Sequence, residues 1–293
     1  MKIKGYLFAA VAAATYGTNP AFAIPLYCDG MNANTVLLFR YLLGLPFLLL
    51  MHMYRRRSLI VTSHQLIHMA ILGVLMALSS LTLFESYNYL NAGVASTMLF
   101  VYPILVAVLM IMFFHERFSI LTILCLIIMC SGLILLMKTD GQCTISGFGF
   151  TLVMLSALTY AIYLVMIQVS SKVRNIPTIT LTFYVLMFGS SVFFTIIAFG
   201  TPLTLPAHWT NWINLLALAI LPTVVSLICT SAAIQCIGST PTAIFGALEP
   251  VTAVILSIIV LGQSITYNEI TGALLIILAT TLVIAGDNIQ SVL

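Results

Sequence analysis

Charge is nearly absent from long stretches of this chain, and that absence decides what it can fold into. Runs of about 20 apolar residues, enough to cross a hydrocarbon core as helix, follow one another with short polar breaks between them. Charged residues make up 6% of the 293 residues and hydrophobic ones 62%. A soluble domain carries about 25% charged residues. Ten Lys and Arg with seven Asp and Glu cannot coat a water-facing surface of this size. A water-soluble enzyme and an intrinsically disordered chain are both excluded, and the composition describes a polytopic membrane protein.

Apolar runs bounded by charge, Gly, Pro or Asn predict an all-α fold of ten transmembrane helices, at 5–24, 34–54, 67–89, 93–114, 119–137, 147–169, 178–200, 210–235, 241–262 and 268–286. In lipid such a run satisfies its backbone only as helix, and the alternating segments of a membrane β-barrel are absent. Lys2 and Lys4 ahead of an Ala-rich run resemble a signal peptide, but the same pattern recurs in the sixth run, so the first is read as a mature span. With the N-terminus in the cytoplasm, the inner segments hold Lys2, Lys4, Arg55, Arg56, Arg57, Arg117, Lys172 and Arg174, and the outer loops only Lys138. This positive-inside bias predicts that both termini are cytoplasmic. The net charge of +3 then reflects topology; no basic patch interleaved with aromatics points to a nucleic-acid partner. Cys28 and Cys143 fall in predicted outer loops, where a disulfide is conceivable in an oxidising compartment, though nothing fixes their separation.

The chain also repeats itself. Shifted by 144 positions, Ala13-Ala14-Thr15-Tyr16 falls on Ala157-Leu158-Thr159-Tyr160, Ala12 on Ser156 and Asn19 on Tyr163. Shifted by 147, Pro103 falls on Pro250, Tyr102 on Glu249 and Glu116 on Gln263. A near-constant offset in two helix pairs predicts two copies of a five-helix unit, 1–140 and 141–293. An odd number of spans per copy inserts the second upside down, the inverted-repeat architecture of secondary transporters.

At this point the sequence resembles the drug/metabolite transporter superfamily, in its EamA branch of ten-span carriers. The resemblance rests on Glu249-Pro250-Val251-Thr252-Ala253-Val254, on Leu261-Gly262-Gln263, and on Gly272-Ala273-Leu274-Leu275-Ile276. Tyr102-Pro103-Ile104, His115-Glu116-Arg117 and Arg40-Tyr41-Leu42-Leu43 carry it in the first copy. Gln263 departs from the family's usual Glu. The resemblance implies a multi-pass carrier of a prokaryotic cytoplasmic (inner) membrane, exporting amino acids or other small metabolites.

Charges within a membrane are costly and mark function by default. Three lie well inside predicted spans: Arg40, Glu85 and Glu249. Arg40 and Glu85 sit at similar depths, about 9 Å from the outer helix ends at the α-helical rise. They could form a structural pair, or Arg40 could clamp a carboxylate-bearing substrate, which its planar fork fits. Glu249 has no evident cationic partner. It is read either as a permanently neutral acid or as a carboxyl that couples transport to protons. Bulky polar residues on helix faces, Tyr16 and Asn19 in the first span and Tyr160 and Tyr163 in the sixth, are candidate cavity residues, and Tyr102, aligned with Glu249 by the repeat, joins them. Thr223, Ser226 and Thr230, like Thr242, Glu249 and Thr252, share helical faces too, but small hydroxyls also serve helix packing. Asn19-Pro20, Pro46, Pro103, Pro222 and Pro250 are predicted to interrupt helices.

No P-loop, zinc-protease pattern or nucleophilic constellation is present in the sequence, so no cofactor, metal or enzymatic activity is expected. The leading expectation is a secondary transporter moving a small metabolite, an amino acid or a relative of one, by alternating access. Its partners would be a small-molecule substrate, the lipid bilayer and, through Glu249, protons. Carriers for drugs, purines or nucleotide-linked sugars are the alternative, with an integral-membrane enzyme or a channel behind them.

Overall fold

A computed structural model describes residues 2–55, 59–90, 95, 98–114, 120–137, 146–261 and 267–290. Among the described residues all regular structure is helical. The first half contains α1 (Lys2–Tyr16), α2 (Asn19–Cys28), α3 (Ala33–Arg55), α4 (Ser63–Ser86), α5 (Tyr102–Phe114) and α6 (Ile120–Met137). The second contains α7 (Gly147–Val169), α8 (Thr178–Ala198), α9 (Thr210–Ala219), a π-helical turn at Ile220–Val225, α10 (Ser226–Ile237), α11 (Ser239–Gly246), α12 (Leu248–Leu261) and α13 (Tyr267–Gln290). Six helical segments, Lys2–Cys28, Ala33–Arg55, Ser63–Ser86, Gly147–Val169, Thr178–Ala198 and Thr210–Ile237, are long and apolar enough to cross a bilayer. Three shorter apolar helices, Tyr102–Phe114, Ile120–Leu135 and Ile270–Val283, complete the apolar set among the described residues.

Several helix ends differ from expectation for local reasons. α4 begins at Ser63 rather than 67 because Thr62 and Gln65 form a capping box: the Thr62 hydroxyl accepts from the Gln65 amide, and the Gln65 side chain accepts from the Thr62 amide. Pro46 was expected to interrupt its helix, yet α3 runs through it unbroken. Pro20, Pro103 and Pro250 instead lie in the first turns of α2, α5 and α12, where a missing N–H costs nothing. The breaks therefore precede these prolines. Glu116, Gln263, Cys143, His115, Arg56, Arg57, Arg117 and Lys138 lie outside the described residues; Cys28 is an exposed free thiol.

The halves pack by exchange. α1 lies along α10 as α4 lies along α7, and α4 meets α8 as α3 meets α9. α3 packs on α8, and α6 on α13, across the centre. The same exchange reaches single atoms. Ser226 donates to the Ala12 carbonyl at 3.0 Å, and Ser156, which the repeat aligns with Ala12, donates to the Ser79 carbonyl at 2.7 Å. Gly44 and Gly189 sit at matching places in α3 and α8. A Cβ on Gly44 would press on Leu186 at 3.0 Å, and one on Gly189 would overlap the Tyr41 ring at 2.5 Å. Close approach of backbones is what holds helices together where lipid supplies no hydrophobic drive.

Candidate functional site

Arg40 is completely buried, 0% exposed, and a guanidinium taken out of water must spend its donors. Its Nε donates to Thr223 Oγ1 at 2.5 Å, Nη1 to Asn19 Oδ1 at 3.3 Å, and Nη2 to the Pro222 carbonyl at 3.2 Å. Two of these acceptors exist because of how the chain is wound at Ile220–Val225. Pro222 has no N–H, so an α-helix would leave the Leu218 carbonyl without a donor. The wider π turn brings Thr223 over that carbonyl, five residues back, and its hydroxyl donates there at 2.8 Å. With its hydrogen committed, the Thr223 oxygen is free to accept from Arg40. Tyr16 and Phe84 add ring faces at 5.6 and 6.0 Å from Cζ, within cation–π range.

A second cluster lies beside the first. Glu249, 9% exposed, is in the first turn of α12, just past the break at Ala247. Tyr102 and Tyr160 meet edge to face with centroids 4.8 Å apart, and with Ala13, Thr230, Thr242 and Glu249 they enclose a cavity with room for about one water. Gly246 is required here, since a Cβ would fall on the Tyr102 hydroxyl, with the Glu249 carboxylate just beyond. Tyr163 stacks on Tyr160 at 6.0 Å but does not line the cavity. Tyr16 and Gly17 join the clusters: the Tyr16 ring lies 5.6 Å from Arg40 Cζ, and a Cβ on Gly17 would meet the Glu249 carbonyl at 2.5 Å.

Of the predicted residues, Tyr16, Asn19 and Arg40 come together in one cluster and Tyr102, Tyr160 and Glu249 in the other. Glu85 does not join Arg40. Among the described residues no ion pair links them, and the Glu85 carboxylate accepts from Asn88 at 3.0 Å near the end of α4. Counting residues gives a position along a helix, but not the direction each side chain takes around it. Thr223 and Pro222 were noticed as a stripe and a break, not as Arg40's partners. Phe84 and Gly246 carried no distinguishing signal.

Above Arg40 the bundle end is sealed by loop contacts. Asn32 donates from its side chain to the Pro202 carbonyl at 2.6 Å and from its amide to Thr204 Oγ1 at 3.0 Å. The Thr204 amide donates to Thr35 Oγ1 at 3.2 Å. Asp29 accepts from the amides of Ala207 and His208 at 2.8 and 3.3 Å. The Asn211 side chain, then these amides and the His208 ring, hold the Asp29 carboxyl below its ordinary range.

A family model described as the EamA-like transporter family matches residues 3–138 and again 147–285. The chain belongs to that family. EamA-like proteins are membrane transporters, so the chain is a multi-pass membrane transporter in which the family unit occurs twice. A protein of known crystal structure is similar over 97% of both chains at 14% identity, with a TM-score of 0.82; that likeness concerns the fold alone. No curated protein matches.

Proposed function

We propose that this EamA-like protein is a secondary transporter for a small zwitterionic metabolite of the amino-acid class, working by alternating access. The observation that carries the reading is that a buried guanidinium and a buried carboxyl, contributed by opposite halves, belong to residues that both border the Tyr16–Gly17 pair. Arg40 would take the substrate carboxylate in a forked contact, and Glu249 its ammonium group or, when unloaded, a proton. Tyr102 and Tyr160 would set the size of the side chain admitted. A dianionic nucleotide-linked sugar calls for more cations than this cavity offers.

Exchange of contacts between the halves supports a pseudo-two-fold axis in the membrane plane, with 1–140 and 141–293 as inverted repeats. The Lys and Arg bias supports cytoplasmic termini, in which case the sealed end faces outward and the opposite end inward. Export and an inner-membrane location follow from the family resemblance.

Counterflow in proteoliposomes tests the proposal. Protein preloaded with unlabelled amino acids should accelerate entry of at least one labelled amino acid, and Arg40→Gln should abolish that exchange. Acceleration by nucleobases or sugar nucleotides alone would overturn the substrate class. Glu249→Gln should remove flux driven by a pH gradient; flux that persists unchanged would eliminate proton coupling at this carboxyl.

A further inference from the structure

The small cavity beside Tyr102 and Tyr160 has a wall whose polar side chains all end in oxygen. Glu249 brings a carboxylate, Tyr102 and Tyr160 bring phenols, and Thr230 and Thr242 bring hydroxyls, while the rest of the wall is Ala, Leu and Gly. No Lys, Arg or His lines it. The Arg40 guanidinium is spent elsewhere, on Thr223, Asn19 and the Pro222 carbonyl.

The local geometry turns lone pairs toward this space. The Thr242 hydroxyl donates to the Gly238 carbonyl at 2.7 Å, so its oxygen has only lone pairs left to offer. Gly246 ends α11 at the cavity wall. Its missing side chain leaves one small space shared by the Tyr102 hydroxyl, which a Cβ there would overlap, and Glu249 Oε1, 3.6 Å from that Cβ position. The C-terminal end of a helix carries partial negative charge and favours a cation. Charge then decides the occupant. An ionised carboxylate taken out of water needs a partner, and one carboxylate balances one monovalent cation. Among the described residues no three of His, Cys, Asp and Glu gather to hold a metal ion. The room, about that of one water, takes a bare ion and not a hydrated one. Oxygen ligands suit a hard cation, and Coulomb attraction at contact grows as the ion shrinks, so a wall with one full charge prefers sodium to potassium.

We propose that this cavity binds one sodium ion, held by the Glu249 carboxylate with the hydroxyls of Tyr102, Tyr160, Thr230 and Thr242. As a binding site it stands on this geometry alone; as an ion exchanged for substrate it rests on the proposed transport function. Sodium, a proton and the substrate ammonium then claim the same carboxylate one at a time, so that sodium moving in one direction drives substrate in the other.

The test uses the full chain in neutral detergent and choline chloride, titrated with radiolabelled sodium by scintillation proximity in the absence of any amino acid. Binding should saturate at one ion per chain and be displaced by unlabelled sodium far better than by potassium. Thermal stability should rise with sodium over the same range, as for any ligand of the folded state. Glu249→Gln should lose the binding, and Thr242→Val, which keeps shape and charge, should weaken it about tenfold, since affinity at oxygen sites follows ligand number and charge. No saturable binding, equal displacement by potassium, or binding untouched by Glu249→Gln overturns the assignment. Should Glu249→Gln fail to fold, undiminished binding in Thr242→Val overturns it instead. Amino-acid counterflow in a protein that never binds sodium refutes this site and leaves the transport reading standing; sodium binding without counterflow does the reverse.

Discussion

The two ends of the bundle are built from matching segments and finish differently. At one end Asn32, Thr35 and Asp29 hold the segment from Pro202 to His208 by hydrogen bonds from both backbone and side chain. The shift that carries Gly44 onto Gly189 carries Thr35 onto Thr180, Asn32 onto Pro177 and Arg40 onto Val185. At that second end the Thr180 hydroxyl is buried without a partner among the described residues, a proline replaces the asparagine donor, and a cleft stands open. The duplication supplies a common frame, but only one end holds the donors of this latch and only one half the buried cation. Closing the open end therefore calls for different contacts from those that close the sealed one.

Breaking Arg40 should have the largest effect. Arg40→Gln leaves Thr223, Asn19 and the Pro222 carbonyl short of donors and is expected to cost about 3 kcal/mol. Substrate exchange should vanish in the same variant, read by thermal unfolding and by counterflow. Retained exchange would show that the asymmetry between Arg40 and Val185 is irrelevant to transport.

Next comes the latch. Asp29→Asn removes the charged acceptor, so labelling of the neighbouring Cys28 by a membrane-impermeant maleimide should rise several-fold. Because the Asp29 carboxyl titrates below its ordinary value, its contribution is fully present above the usual range of about 3.9. That contribution is lost as pH falls through the lowered value. The thermal-stability difference between wild type and Asp29→Asn should thus hold from neutral pH down to that range and shrink only below it; a difference that shrinks near neutrality would mean that another group governs the seal.

Isosteric changes at the paired threonines sharpen the comparison further. Thr35→Val gives up the bond from Thr204 and should cost about 1 kcal/mol, whereas Thr180→Val replaces an orphaned hydroxyl and should be neutral or stabilising. Equal losses would mean that both ends are latched. Ser226→Ala and Ser156→Ala, which cut the exchanged helix contacts, should be the mildest, each costing about 0.6 kcal/mol, an average for such bonds in membranes.

The helical runs were legible because lipid leaves an apolar chain few alternatives, and the repeat because it is written as a near-constant offset. Thr62 and Gln65 were a legible start for α4 that hydropathy alone passed over. The Arg40 cluster was only half legible. A buried charge announces itself, but its partner Thr223 lies 183 residues away and becomes available only through the local winding. Arg40 and Glu85 looked like neighbours because depth follows from counting residues, whereas the azimuth of each helix is set by its packing. The seal was not legible at all, since Asn32, Asp29 and Thr204 are ordinary loop residues until two loops meet.

The wide turn at Ile220–Val225 also sets the rotational phase of everything after it. Each residue advances an α-helix by about 100°, so deleting a single residue there, even one whose side chain does nothing, would swing Ser226 away from Ala12 and Thr230 out of the cavity wall. Substitutions in this stretch can be absorbed one at a time, but a change in its length cannot, and insertion–deletion scanning should find it the least forgiving six residues of the eighth span.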